Sequence, residues 1–393
     1  MQAADAKPSR PWNTILLVAM LSCWVQAFLA VWNKSDEFLW DFKTYYFAVR
    51  VYEQGASPYE VSNLRATARI TGILPFYYPL SALHVLRPLC DLDYAIASRI
   101  WMVSKAAAMI LLLLVWRRLF LRDLAWWPLL GLGLFGFGGA TLWDMKAGNV
   151  STFEQLFLWS GFALLMRRQV SAFVACVVAA SVFKLMPAVF LLLLLLPSLR
   201  SRANLSKMAA GIVAVLLVAL LPFAEHADRL GSLLHGLRTA HTRLQFNPTF
   251  LGALDELAVE HGMAVLAGWR KYIVLAAYYA LLFTVSRRFL ARAWSGNSLQ
   301  SAILIAVLLY ALIVPRFIIY SYMIVIVPVL ALVPPAVGRT GAGRGAALVA
   351  LSLGGVLNLP SRIGAFAHDG MPFLLLLGCW ALLVTAWRTA EAT

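Results

Sequence analysis

"TILLVAMLSCWVQAFLAVW", Thr14 to Trp32, is followed closely by "WDFKTYYFAVRVYEQGASPYE", Trp40 to Glu60. The first stretch has no charged residue and is long enough to cross a hydrocarbon core of ~30 Å as a helix. The second carries Asp41 and the tyrosines Tyr45, Tyr46, Tyr52 and Tyr59, and its helical pattern stops at Gly55 and Pro58. Membrane-spanning sequence thus gives way at once to an acidic, aromatic segment, and the fold is read outward from that junction.

The pattern of the first stretch recurs. Of 393 residues 62% are hydrophobic and 13% charged, with mean hydropathy +0.78, whereas an ordinary soluble domain is about half apolar and about a quarter charged. Apolar runs lie at roughly 13–32, 94–116, 124–142, 151–166, 208–223, 264–285, 298–314, 318–334, 345–358 and 371–387. A further stretch, 170–198, is broken at Pro187 into two short helices that go up and back. The expectation is an all-α polytopic membrane protein of about twelve membrane elements, one domain over residues 1–393. Its two largest loops are 33–93 and 225–262. The first run is expected to remain in the protein, because it is longer than a signal-peptide core and ends at Trp32 with no small-residue cleavage site.

The net charge of +15 is a topology signal. With the N-terminal tail in the cytoplasm, Lys7, Arg10, Arg117, Arg118, Arg122, Arg167, Arg168 and other basic residues, but few acids, fall on the cytoplasmic side. Both long loops are then extracytoplasmic, and the charge has no nucleic-acid meaning. Cys23, Cys176 and Cys379 lie inside apolar runs, and Cys90 is expected to face the outside. Neither a disulfide framework nor an HExxH metal motif is indicated, and no Walker-type or GxGxxG loop prepares a nucleotide site. No cofactor is expected, so any chemistry on the outer face needs an activated substrate already in the membrane.

Candidate site residues collect on that face. Asp41, Tyr45, Ala48 and Tyr52 share one side of a helix of about twelve residues starting at Phe42. The plainer readings are that Asp41 caps the helix and that the tyrosines form an interfacial belt. "DMKAGNVSTFEQ" (144–155) packs Asp144, Lys146, Asn149, Ser151 and Thr152 into a turn between two membrane runs. "AASVFKLMPAVF" (179–190) places Lys184 in mid-membrane, where a lone cation costs about 2.5 to 3.5 kcal/mol and calls for an anion. "IVPRFIIYSYM" (313–323) adds Arg316 and Tyr320, and Arg99 and Lys105 add cations to the run after the first loop.

The order of these elements resembles a known family. DFxxYY with a downstream G-x-x-P-Y, the outer-turn Gly-Asn, K-x-x-P, "NPTF" (247–250) and a late P-x-x-x-x-Y element run from Asp41 to about Pro328. The chain is similar in this to the bacterial polyprenyl-phosphate-mannose-dependent mannosyltransferases, glycosyltransferase family 87 of the GT-C superfamily. The resemblance implies a GT-C fold in the bacterial inner membrane, with its site facing the periplasm or cell exterior. It implies a polyprenyl-phosphate sugar donor, with mannose the default, and a glycolipid or glycan acceptor. Asp41 matches the catalytic first-loop acid and Lys184 the donor-lipid lysine. Tyr45, Tyr46, Asp144, Lys146, Asn149, Asn247, Tyr320, Arg99, Lys105 and Arg316 are the further substrate-binding candidates, and Arg316 stands where relatives often carry histidine. The residue types suit the chemistry: a lipid phosphate departs once cations stabilise its charge, and a carboxylate takes the proton of an attacking hydroxyl. The competing expectation is a transporter or flippase for an anionic lipid, which would carry inverted repeats with interrupted helices in both halves.

Overall fold

The structure is a computed structural model that describes residues 11–224, 226–239, 247–265, 268–296, 298–337, 347 and 369–392. Every element in it is helical. Helix α1 (Pro11–Asn33) forms over the opening apolar run, with Pro11 at its first position, where a missing N–H costs nothing. Only Val31 of it is buried, while Trp12, Ile15, Val18, Leu21, Val25 and Leu29 are exposed. A helix so apolar and so bare is solvated by lipid. Trp24 Nε1, donating to the Leu130 carbonyl at 3.0 Å, fastens it to the bundle.

Among the described residues five helices are long and apolar enough to cross a membrane: α1, Tyr94–Phe120, Arg202–Phe223, Trp269–Ser295 and Ile319–Ala336. The protein is a polytopic membrane protein. The expected span at 345–358 lies outside the described residues apart from residue 347.

The loop 33–93 is a packed substructure, with α2 (Trp40–Glu53), α3 (Val61–Ala68) and α4 (Leu80–Cys90). Its apolar side chains join the first turns of α5 (Tyr94–Val115) in a core separate from that of the main bundle. Phe42 stacks between Trp101 and Tyr94 at ring separations of 5.0 and 6.0 Å, and burial of such a ring contributes about 1.5 to 3 kcal/mol. Cys90, expected to face outside, is buried in this core because α4 closes against α2 and α5.

The run expected at 124–142 is α6 (Trp126–Ala147), and it is broken in the middle. Phe137, Gly138 and Gly139 have φ of 53°, 70° and 72°, a left-handed stretch that glycine makes affordable. After α7 (Ser151–Met166), the region 170–198 forms α8 (Val170–Ser181), a turn holding Lys184, and a 3₁₀ segment, Met186–Leu195. Helices α9 (Arg202–Leu220), α10 (Ala227–Thr239), α11 (Phe250–Glu260), α12 (Trp269–Ser295) and α13 (Leu299–Ile313) follow. A 3₁₀ segment, Ile319–Val325, then leads into α14 (Ile326–Val337), and α15 (Met371–Ala392) closes the described chain. That 3₁₀ segment packs on α6 and α7, and this brings residue 320 back to the first loop.

Candidate active site

The site is built where the start of α2 meets the turn between α6 and α7. Leu39 holds a left-handed φ of 56° at the N-cap of α2 and makes no side-chain capping bond. Its N–H donates to the Lys146 carbonyl at 2.7 Å, pinning α2 to the end of α6. Gly148 permits the approach. At its φ of +67° a Cβ would meet Leu39 Cδ2 and Phe42 Cβ, each at 3.0 Å. Trp101 Nε1 holds the Gly148 carbonyl at 2.8 Å. The next residue, Asn149, therefore faces the first turn of α2.

Asp41 does not cap its helix. Its carboxylate lies in the first turn and accepts from Asn149 Nδ2 at 2.7 Å. The same nitrogen lies 2.8 Å from the hydroxyls of Tyr45 and Tyr78, which are themselves 2.8 Å apart. Tyr320 adds a hydrogen bond to Asp41 from the 3₁₀ segment. On the far side of the amide, Asn149 Oδ1 accepts from the Ser151 N–H at 3.0 Å and from Ser151 Oγ at 2.8 Å. Lys184 Nζ donates to Ser151 Oγ at 2.7 Å and lies 5.5 Å from the centre of the Tyr320 ring. Asp41, Tyr45, Asn149, Lys184 and Tyr320 thus converge, although they come from four separate parts of the chain.

Asp41 is 8% exposed. Burial pushes its carboxyl up to about 6; the hydrogen bonds from Asn149 and Tyr320 and the charge of Lys184 oppose the rise, and the charge of Asp144 adds to it. A carboxylate poised there is ionised at neutral pH yet basic enough to take a proton.

Lys184, within this cluster, and Asp144 and Lys105 beside it have charged partners of their own. Lys184 is not the unpaired cation that its position suggested, because Glu154 Oε2 meets it at 2.8 Å. Asp144 is fully buried and pairs with Lys105 Nζ at 2.6 Å, with Thr152 Oγ1 as a second donor. Lys105 also donates to the Asn149 main-chain oxygen. Lys105 and Asp144 pair with each other and brace the turn.

The other candidates lie elsewhere. Tyr46 donates to the Leu92 carbonyl at 2.8 Å and receives Arg50, on the side of α2 away from Asn149. Lys146 turns its ammonium to the rings of Phe38 and Trp143. Asn247 bonds the Pro315 carbonyl and the Phe317 N–H at 3.1 and 2.7 Å, so it braces the segment that carries Arg316. Arg99 is exposed. Arg316 is half-buried over the Tyr77 ring at 5.2 Å, next in sequence to Tyr78, and has no carboxylate partner among the described residues.

Two members of the cluster, Tyr78 and Glu154, were not among the candidates, and Ser151 was marked only as a polar residue of the outer turn. Tyr78 sits between two prolines in "PFYYP" (75–79), where no periodicity marks it, and is held by Tyr59 Oη donating to its carbonyl at 2.9 Å. Ser151 and Glu154 form an S-x-x-E pattern that reads as a capping box. Charge balance was the available signal for Glu154, since a lysine and a glutamate both counted into the membrane are expected to pair. Among the described residues no three His, Cys, Asp or Glu side chains converge as a metal set would.

The sequence profile of glycosyltransferase family 87 matches residues 76–315, more than half of the chain. The protein belongs to glycosyltransferase family 87. The matched stretch of this family 87 member includes Tyr78, Asp144, Asn149, Ser151, Glu154 and Lys184. Asp41, well before it, is joined to it by the bond from Asn149, and Tyr320, just after it, by the contact of Lys184 with its ring. No curated protein and no solved structure matches the chain. A membrane glycosyltransferase is what family and helices together support.

Proposed function

We propose that the protein transfers a sugar, mannose by the family resemblance, from a polyprenyl-phosphate donor to a hydroxyl of a glycolipid or glycan. By this reading it is an inverting GT-C enzyme of about twelve membrane elements, in the inner membrane of a bacterium, with Asp41 on the extracytoplasmic side. The acceptor oxygen attacks the anomeric carbon from the face opposite the phosphate. As that bond forms, the bond from the anomeric carbon to the phosphate oxygen breaks, and its electron pair leaves with the lipid phosphate. Asp41 takes the acceptor's proton.

Arg316 and Lys184 would hold the departing phosphate, which then needs no metal or other cofactor. Arg316 is the stronger candidate for the first contact, because Lys184 must exchange Glu154 for the phosphate whereas Arg316 gives up only the face of Tyr77. Tyr45, Tyr78 and Tyr320 are placed to hydrogen-bond sugar hydroxyls around the base.

The observation that carries the reading is the convergence of a poised carboxylate and a lysine on the Asn149 turn of a family 87 chain. The test uses the purified protein in liposomes with a labelled polyprenyl-phosphate hexose and a glycolipid extract. Label should pass to the acceptor fraction as polyprenyl phosphate accumulates, with or without a chelator. Label that crosses the bilayer still attached to its lipid would favour the flippase instead.

A further inference from the structure

Lys184, Ser151, Asn149 and Asp41 form one directed chain of hydrogen bonds. Each direction is forced by chemistry. An ammonium has no acceptor, so Ser151 Oγ must accept from Lys184. The single Ser151 hydroxyl proton is then left for Asn149 Oδ1, which the Ser151 N–H also contacts. With two donors on its oxygen, the Asn149 amide is obliged to turn Nδ2 toward Asp41 and the hydroxyls of Tyr45 and Tyr78. The opposite orientation would set oxygen against carboxylate and N–H against N–H. Asn149 and Ser151 are both fully buried, so no water substitutes for either contact.

We propose that Ser151 is a positioning residue: it sets the orientation of the Asn149 amide and so couples what Lys184 holds to the readiness of Asp41 to accept a proton. The inference rests on the reading of Asp41 as base and Lys184 as a ligand of the donor phosphate. Without the serine hydroxyl the Asn149 oxygen keeps only the Ser151 N–H, the amide is held less firmly, and its bond to Asp41, which favours the ionised form, weakens. The groups facing Asp41 are Tyr45 from α2, Tyr78 from the segment before α4, Asp144 from the last turn of α6, Asn149 from the α6–α7 turn, Lys184 from the turn after α8, and Tyr320 from the 3₁₀ segment. Lys105 stands behind Asp144 and Glu154 behind Lys184. Replacing Ser151 alters none of these charges, and Lys184 stays held by Glu154, so the change in Asp41 comes chiefly through the amide.

The experiment titrates Asp41 directly, by infrared difference spectroscopy of its carboxyl band in the full-length protein. The band is assigned by its loss in Asp41→Asn. Ser151→Ala should raise the midpoint by about one to two pH units, the equivalent of one lost hydrogen bond to a charged group. Ser151→Cys, which keeps a weaker donor, should shift it less in the same direction. In transfer assays Ser151→Ala should lower kcat by roughly tenfold with donor KM nearly unchanged. Midpoints equal to wild type in both folded variants would overturn the proposal. The titration needs no substrate, so a shifted midpoint in a protein that transfers no sugar would sustain the relay and refute the glycosyltransferase reading, and an unshifted midpoint in an active enzyme would do the reverse.

Discussion

The Asn149 amide meets the Asp41 carboxylate at 2.7 Å across 108 positions of sequence. The contact depends on Gly148, whose left-handed backbone lets the α6–α7 turn approach Leu39 and Phe42, and on the bond from the Leu39 N–H to the Lys146 carbonyl. Family membership, the poise of the base and the position of Lys184 all bear on this one turn.

The pH dependence follows from the burial of Asp41. A base must be ionised to act, and burial raises this carboxyl to about 6, so protonation on the acid side removes activity. Turnover should rise about tenfold per pH unit below 6 and level off above it. A profile of kcat against pH that is flat from 4.5 to 8 would assign the proton to another group.

Donor binding separates the two cations. Arg316→Ala should weaken binding of a polyprenyl-phosphate sugar by roughly ten- to a hundredfold, the value of one charged hydrogen bond. Lys184→Ala should cost less affinity, because the wild-type lysine must first leave Glu154. Equilibrium binding of a labelled donor decides this, and equal affinities in wild type and Arg316→Ala would remove Arg316 from the phosphate site.

Lys105 and Asp144 make the opposite kind of pair, with side chains only 4% and 1% exposed. Removing one partner strands the other as a buried charge, at a cost of about 3 to 5 kcal/mol. Lys105→Met should therefore lower the thermal unfolding midpoint sharply, and Lys105→Met with Asp144→Leu should recover much of the loss. A single variant as stable as wild type would contradict the bracing role.

How legible this was depended on whether a signal was local. The apolar runs that became α1, α5, α7 and α13 needed only composition, because lipid solvates any helix that is apolar all round. The break at Phe137–Gly139 escaped notice because glycines are ordinary in membrane helices, and only the backbone shows that these ones are left-handed. Asp41 and Lys184 were visible as costly residues in costly places. Asn149 and Ser151 were visible as polar residues of the outer turn, but their bonds to Asp41 and Lys184, and the pairing of Lys184 with Glu154, appear only once that turn meets α2 and the turn after α8. Asn247 was singled out for a substrate role through the NPTF motif, whereas its two bonds go to the backbone around Arg316.

Orientation in the membrane has its own test. In a cysteine-free background, Ser62→Cys on the exposed face of α3 should react with an impermeant thiol reagent applied outside the cell, and Ala203→Cys at the start of α9 should not. Labelling at 203 alone would invert the topology and place the Asp41 cluster in the cytoplasm.

The most direct test of the account is the transfer rate of Asp41→Asn. Asparagine keeps an oxygen that can accept from Asn149 Nδ2 but cannot take up a proton as a carboxylate does, and Asp41 caps nothing that the change would release. The variant should insert, unfold at nearly the wild-type temperature and bind the lipid donor normally, while turnover falls by a factor on the order of 10² to 10⁴. A folded Asp41→Asn protein that transfers sugar at close to the wild-type rate would contradict the assignment of Asp41 as the base.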